Sequence, residues 1–505
     1  MWLRHLSTDR IERRFATRDH KTPRVVAAQV EGALRLSAVN GAAFALGLRC
    51  GMPLADVRAM YPRIEAAEAD AGADRRLLES VADWADRYTP LVGLDAPDGL
   101  LLDVTGCAHL FGGEAAMVRD LIVRLARQGF HARAAVAGSA GCAWAMARYG
   151  EALVVPRDET EAAMLPLPVA ALRIEPETAA ALTRTGLKSV GDLATRPRAP
   201  FAARFGGGLL RRLDQALGRV DEPITPRLPV PTALAERRFP DPIAREEDVL
   251  GTIEQLAHEL SRVLERRGEG ARLVALALFR ADGKVHRLEI GTGAPLRDPA
   301  RMRKLFEDRL AVLGDAADPG FGFDMIRLSA LVTERCDPVQ SGLAGSDRSE
   351  ELAQLIDRLG ARFGLRRVTR LVPQDTHIPE YAAAAVPAHG ALQFARAVAP
   401  LAEQDTLGAM RPIRLFDRPE PVEVIAEVPD GPPVSFNWRR SSHHVVKAEG
   451  PERIAMEWWR DDRGNKLTRD YFRVESGDGT RAWLYRQGLY RESVSPRWYL
   501  HGLFA

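Results

Sequence analysis

The stretch LDAPDGLLLDVTG, residues 94–106, limits what this chain can fold into more than any other. Its centre, GLLLDV, is an apolar run of strand length, with A-P-D-G turn chemistry before it and T-G after it. A short apolar run closed at both ends reads as a buried strand whose turns surface at a sheet edge. Loops that present acids beside such a strand are where metal-dependent phosphoryl-transfer sites keep their carboxylates. Asp95, Asp98 and Asp103 are therefore the first residues to weigh. Asp98 is equally a turn former in A-P-D-G, and Asp103 is placed to hydrogen-bond the turn that follows it.

At 505 residues the chain is too long for one core. With 46% hydrophobic and 27% charged residues it reads as ordinary globular protein. Net charge is only +2, yet arginine far outnumbers lysine, which suits phosphate recognition and also follows from GC-rich coding. Cys50, Cys107, Cys142 and Cys336 form no CxxC pair, which argues against a zinc site or disulfide framework and fits a reducing compartment. No signal-like run opens the chain and no stretch approaches eighteen apolar residues, so a cytoplasmic protein is expected.

Residues 1–160 mix strands (WLRHL, GLLLDV, ARAAVAGSAG) with the helix AAMVRDLIVRLARQG, and a helical insert is expected over about 27–88. Residues 161–225 read as short helices paired by tight turns, ending in the Pro-rich connector PITPRLPVP. Over 226–335 the order is strand, helix, strand, strand, helix, strand, a split βαβ arrangement with a helix-backed sheet. Residues 336–402 read as a polar loop, a helix and an Ala/Pro-rich linker, YAAAAVPAHGALQFARAVAPLA. The last part, 403–505, holds Trp438, Trp458, Trp459, Trp483 and Trp498 and reads as a small β-rich domain with its own core.

The order of these pieces resembles the Y-family, or translesion, DNA polymerases of the UmuC/DinB-like superfamily. GLRCGMPLADVRAMYP is similar to the family's fingers segment, LLLDVTG followed by LFGG to its palm strand and turn, and TRTGLKSVGDLA to its helix-hairpin-helix thumb. Residues 226–335 are similar to its little finger. The resemblance, which covers nearly the whole chain, implies an α+β multidomain fold of palm, fingers, thumb and little finger, plus the β-rich C-terminal domain. DGLLLDVTGCAHLFGGE, AWAMARYG and the tail from RRSSHHVV to PRWYLHGLFA point to a non-catalytic branch of the family.

The family's metal-binding Asp-Glu pair falls on Asp98 and Gly99, and its first-strand Asp falls on Ser7. One carboxylate stands where three are needed. Only the second, non-ligand acid of that first motif, Asp9, is kept, and Glu12 falls near the family's ribonucleotide-excluding aromatic. The Tyr and Arg that grip the triphosphate fall on Gly41 and Phe44, and a following Lys falls on Trp144. The resemblance therefore implies a polymerase-shaped chain with no catalytic residues, metal or cofactor. Magnesium enters only in the alternative, an active error-prone polymerase with a rearranged site. A third reading is a DNA-binding module alone.

DNA contact is expected at Gly186, Lys188 and Ser189 in the thumb's second hairpin, the first being degraded to RIEP, or else these residues serve helix packing. Arg237, Arg238, Arg272, Arg280, Lys284 and Arg287, with His286, lie on or beside the strands of 226–335. An open basic sheet face would track a phosphate backbone; solvated scattered charge is the plainer account. Gln340 and Leu343 in PVQSGLAGS stand where the resemblance implies a sliding-clamp motif, here without its aromatic anchor, and a loop without function fits as well. The resemblance further implies DNA, the beta sliding clamp, the RecA-like accessory protein ImuA and an error-prone DnaE-type polymerase as partners.

Overall fold

The computed structural model describes residues 1–13, 22–314, 318–336, 348–388, 411–427, 431–457, 459, 468–488 and 496–504. The chain divides into two compact units, Met1–Gly345 and Ser346–Ala505.

The first unit opens on a four-stranded antiparallel sheet of β1 (Trp2–Leu3), β5 (Val92–Asp95), β6 (Gly99–Leu102) and β7 (Ala132–Arg133), in the order β5-β6-β1-β7. Helices α4 (Ala71–Ala85) and α5 (Glu114–Arg127) supply Leu78, Val81, Trp84, Met117, Leu121 and Leu125 to the core shared with Leu3 and Leu100. Each such buried side chain contributes about 2 kcal/mol, more than an exposed ion pair, so this core sets the stability of the sheet. The apolar run expected over 99–104 is a central strand as far as Leu102, after which Asp103 and Val104 enter the turn. The expected first strand is shorter than WLRHL: after Leu3 the chain turns into α1 (Leu6–Glu12), so Ser7 and Asp9 sit on a helix.

The insert is not wholly helical. RVVAAQV, with three valines, and ALRLSAV pair as a hairpin of β2 (Arg24–Val30) and β3 (Ala33–Val39). Its turn is Glu31-Gly32, both at positive φ, a conformation in which glycine is at ease. Strand β4 (Glu65–Glu68) adds in parallel, and α2 (Gly41–Ala45) and α3 (Leu54–Met60) complete a separate small core. Helix α4, read from sequence as part of the insert, packs instead in the core of the first sheet.

Helices α6 (Ala140–Tyr149), α7 (Thr160–Met164), α8 (Pro176–Arg184), α9 (Val190–Ala194), α10 (Ala199–Phe205) and α11 (Gly207–Ala216) share a third core. The connector 223–231 has no regular structure but lies along β5, where the Arg227 amide donates to Val92 O at 2.8 Å. The expected strand-helix order then appears in full: β8 (Ala233–Ile243), α12 (Glu246–Arg267), β9 (Glu269–Arg280), β10 (Val285–Leu296), α13 (Pro299–Leu313) and β11 (Phe323–Arg335), with sheet order β10-β9-β11-β8.

In the second unit, α14 (Arg348–Phe363) precedes a hairpin of β12 (Thr369–Pro373) and β13 (Ala383–Pro387), so part of the expected Ala/Pro-rich linker is a paired strand. Strands β14 (Arg414–Ala426), β15 (Pro433–Trp438), β16 (Ser441–Ile454), β17 (Arg469–Ser476), β18 (Arg481–Gln487) and β19 (Arg497–Leu503) close an up-and-down barrel. Phe436, Phe472, Val474, Leu484 and Leu500 fill it, with Trp438 and Trp498 packed against them. Tyr471, Trp483 and Tyr485 form a second cluster with Ile378 on the opposite face of the wall. Of the five tryptophans expected to build a core, Trp459 is exposed and Trp458 lies outside the described residues.

Candidate functional site

The A-P-D-G turn joins β5 to β6, and Gly99 pairs with Trp2 across β1. A methyl group at Gly99 would stand 2.7 Å from Asp95 Oδ2, 2.9 Å from the Asp95 carbonyl oxygen and 3.1 Å from Arg148 Nη2. No side chain fits there, least of all a second carboxylate beside Asp95. Arg148, from α6, fills that space. Its Nη2 lies 3.0 Å from Asp98 Oδ1 and 3.4 Å from Asp95 Oδ2, and its side chain is 11% exposed. The indole N–H of Trp2 donates to Asp98 Oδ2 at 2.9 Å and that of Trp144 to Asp95 Oδ2 at 2.7 Å. Burial pulls the guanidinium below its ordinary pKa while Asp98 and Asp95 pull it back up.

The other family positions point elsewhere. Ser7 Oγ donates to Asp74 Oδ2 at 2.7 Å, on α4, and Arg10 pairs with the same carboxylate. Asp9, buried, accepts from the amide and Nδ1 of His131 at 2.8 Å each, and that bond raises the His131 pKa. Glu12 is buried and accepts from Asn40 Nδ2 at 2.9 Å. Gly41 begins α2 without a side chain, and the Phe44 ring lies beneath the guanidinium groups of Arg49 and Arg4, at 3.8 and 4.6 Å. Asp103 caps the turn after β6, accepting from the Thr105 amide at 3.0 Å. A divalent ion requires several free oxygen ligands; here Asp98 and Asp95 already accept from three N–H donors, with a fixed cation between them. The residues do not fit the metals of nucleotidyl transfer. Among the described residues no group of three or more His, Cys, Asp or Glu is placed to hold a metal ion.

Of the residues expected to meet DNA, Lys188 and Gly186 are exposed. The amides of Lys188 and Ser189, which would offer themselves to a phosphate, both donate to Asp192 Oδ2 at 2.9 Å in a capping box. In the degraded first hairpin Arg173 takes the left-handed turn position, φ 57°, and pairs with Glu222. The basic residues do not share one face: Arg237 points to α12 and the adjacent Arg238 to the end of α4, and most of them are paired inside the chain. Arg287 pairs with Asp83 and Asp86 at the end of α4, and Arg238 donates to Glu236 and to the Arg87 carbonyl. Arg272 pairs with Glu334, and Arg280 with Asp282 and Asp318. Arg237 reaches Gln255 and Glu259, and Lys284, exposed at the β9–β10 turn, takes part in none of these pairs. Of the expected open face, Arg238 and Arg287 are turned to the end of α4, while Arg237, Arg272 and Arg280 pair within residues 233–335. Arg327 bridges Asp86 and Glu236, and Asp324 receives Arg87 and Arg124. Gln340 and Leu343 lie outside the described residues.

Sequence reading alone missed Arg148, Trp2 and Asp74. The one local signal was the i, i+4 spacing of Trp144 and Arg148 on a single helix face. Asp95, noted as a nearby acid, proves to be the partner of both.

No helix among the described residues is long and apolar enough to cross a membrane. Residues 11–148 match the impB/mucB/samB family. DNA polymerase IV of Desulfatibacillum aliphaticivorans is 27% identical over 335 residues, 63% of this chain and 83% of that protein. The crystal structure of DinB from Sulfolobus solfataricus aligns at 15% identity with a TM-score of 0.39, covering 66% of this chain and 98% of that one. Protein ImuB of Caulobacter vibrioides strain NA1000 is 42% identical over 469 residues, 91% of this chain and 100% of that protein. The chain belongs to the ImuB family, with a UmuC/DinB-type polymerase-like domain as its first part.

Proposed function

We propose that this chain is a non-catalytic adaptor of a bacterial translesion mutasome. It binds primer-template or damaged DNA and brings an error-prone polymerase to the lesion with the help of the sliding clamp. The observation that carries the reading is the space at Gly99, closed to a side chain by Asp95 and Arg148 where the family needs its second carboxylate. The bond from Ser7 to Asp74 and the replacement of the triphosphate grips by Gly41 and Phe44 point the same way. Loss of metal ligands and phosphate contacts together removes both electrostatic supports of phosphoryl transfer.

DNA contact is assigned first to Gly186, Lys188, Ser189 and Lys284. Arg237, Arg238, Arg272, Arg280 and Arg287 join only by exchanging present carboxylate partners for phosphates. Gln340 and Leu343 meet the beta clamp, while the C-terminal barrel receives the RecA-like protein ImuA and a DnaE-type polymerase. The setting is the cytoplasm during DNA damage. Reconstitution tests this: chain, clamp, ImuA and error-prone polymerase on a lesion-bearing primer-template. Bypass that requires this chain, and persists in Asp98→Asn, is expected. Bypass indifferent to the chain, with no capture of clamp or polymerase after nuclease treatment, refutes the adaptor role.

A further inference from the structure

Arg148 is more than a surface arginine near two acids. It occupies the direction in which a side chain at 99 would project, and it reaches both Asp98 and Asp95. The rings of Trp144 and Trp2 lie 4.0 and 5.4 Å from its guanidinium carbon, while their N–H groups bind the same two carboxylates. Every member of the cluster therefore touches at least two others. Four separate segments meet in it: β1, the end of β5, the A-P-D-G turn and α6.

We propose that Arg148 is the resident cation of this site, a built-in charge that holds the β5–β6 turn against β1 and α6 and keeps divalent metal off Asp95 and Asp98. A guanidinium suits the task because it stays protonated, is weakly hydrated and stacks on aromatic faces. Magnesium would instead demand near-octahedral oxygen at close range and a site that Nη2 leaves open. The cluster keeps the polymerase-like shape at this edge independent of metal and nucleotide. The inference rests on the non-catalytic reading, and the two fail separately. Primer extension by a chain that binds no Mn2+ at Asp98 would sink that reading and leave this one standing.

The test uses the full chain, with Mn2+ binding read by electron paramagnetic resonance and stability by thermal melting. Wild type is expected to show no bound Mn2+ that depends on Asp98 and no Tm shift in millimolar Mn2+. Arg148→Met leaves two carboxylates facing each other and should melt roughly 3–8 °C lower, with much of the loss recovered by Mn2+. Arg148→Lys should fall between the two without metal, since an ammonium keeps the charge and loses the fork. Wild-type Mn2+ binding abolished by Asp98→Asn overturns the proposal, as does a folded Arg148→Met that Mn2+ leaves unchanged. If Arg148→Met does not fold, the milder Arg148→Gln and the wild-type resonance measurement decide in the same way.

Discussion

Replacing Asp324 with alanine should loosen the β8–β11 sheet from the first sheet, and the size of the effect follows from burial. Asp324 accepts Arg87 at 2.8 Å and Arg124 at 3.1 Å, joining β11 to the ends of α4 and α5. The Arg87 side chain is only 7% exposed, whereas Arg124 is 40% exposed. Arg124 regains water when its partner is lost, so its half of the bridge counts for little. Arg87 cannot, and a buried charge stripped of its partner costs on the order of 3–5 kcal/mol. Taking the low end, because Arg87 also lies near the rings of Trp84 and Phe279, gives about 3 kcal/mol. That is roughly a hundredfold in the opening equilibrium of this contact. Hydrogen exchange reads it directly: Asp324→Ala should speed exchange about a hundredfold at residues 84–88 and 323–329, and Asp324→Asn by less. High salt should change this little, since the pair is shielded from solvent. Unaltered protection at both segments in Asp324→Ala would refute the claim that this bridge holds the two sheets together.

Gly99→Ala should destabilise the first unit by roughly 1–3 kcal/mol, because the backbone oxygen of Asp95 cannot move aside as a side chain could; denaturant melting checks it. Asp192→Ala removes the carboxylate that holds the Lys188 and Ser189 amides. It should lower the melting temperature slightly while tightening binding to primer-template DNA, measured by anisotropy with its salt dependence. His501, fully buried against Tyr471 and Trp483 on the barrel wall, has its pKa pushed down to about 4 by that burial. The native histidine stays neutral while the unfolded one protonates, so stability should fall as pH drops from about 6.5 to about 4 and level off below. Hydrogen exchange of β19 between pH 4 and 7 measures the slope, which His501→Phe should flatten.

Much of the architecture is legible in the sequence where elements are long and their patterns regular. α12, β9, β10, α13 and β11 each run twelve residues or more, long enough for their apolar positions to repeat. Short elements were harder to see. The two-residue β1 has too few positions to separate strand from helix, so WLRHL reads as one strand although α1 begins at Leu6. The β2–β3 hairpin falls within a stretch that reads as helical, because its alanines suit either structure. For the site, the missing carboxylates at Ser7 and Gly99 are visible in the letters alone. What replaced them is not, because Arg148 lies fifty residues from Asp98 in the chain and only the fold brings them together. The basic residues of the last sheet show the converse. Their charge is plain in sequence, but Arg287 and Arg280 owe their place to Asp83, Asp86, Asp282 and Asp318.

The central claim, a polymerase-like chain whose palm performs no nucleotidyl transfer, is tested most directly by primer extension with the purified chain alone. The reaction should contain all four deoxynucleotides, with magnesium and then manganese, on a primer-template that the chain demonstrably binds. No added nucleotide is expected with the chain in excess over primer-template, while DNA binding persists. Extension that Asp98→Ala abolishes would contradict the account and restore the palm as a working active site.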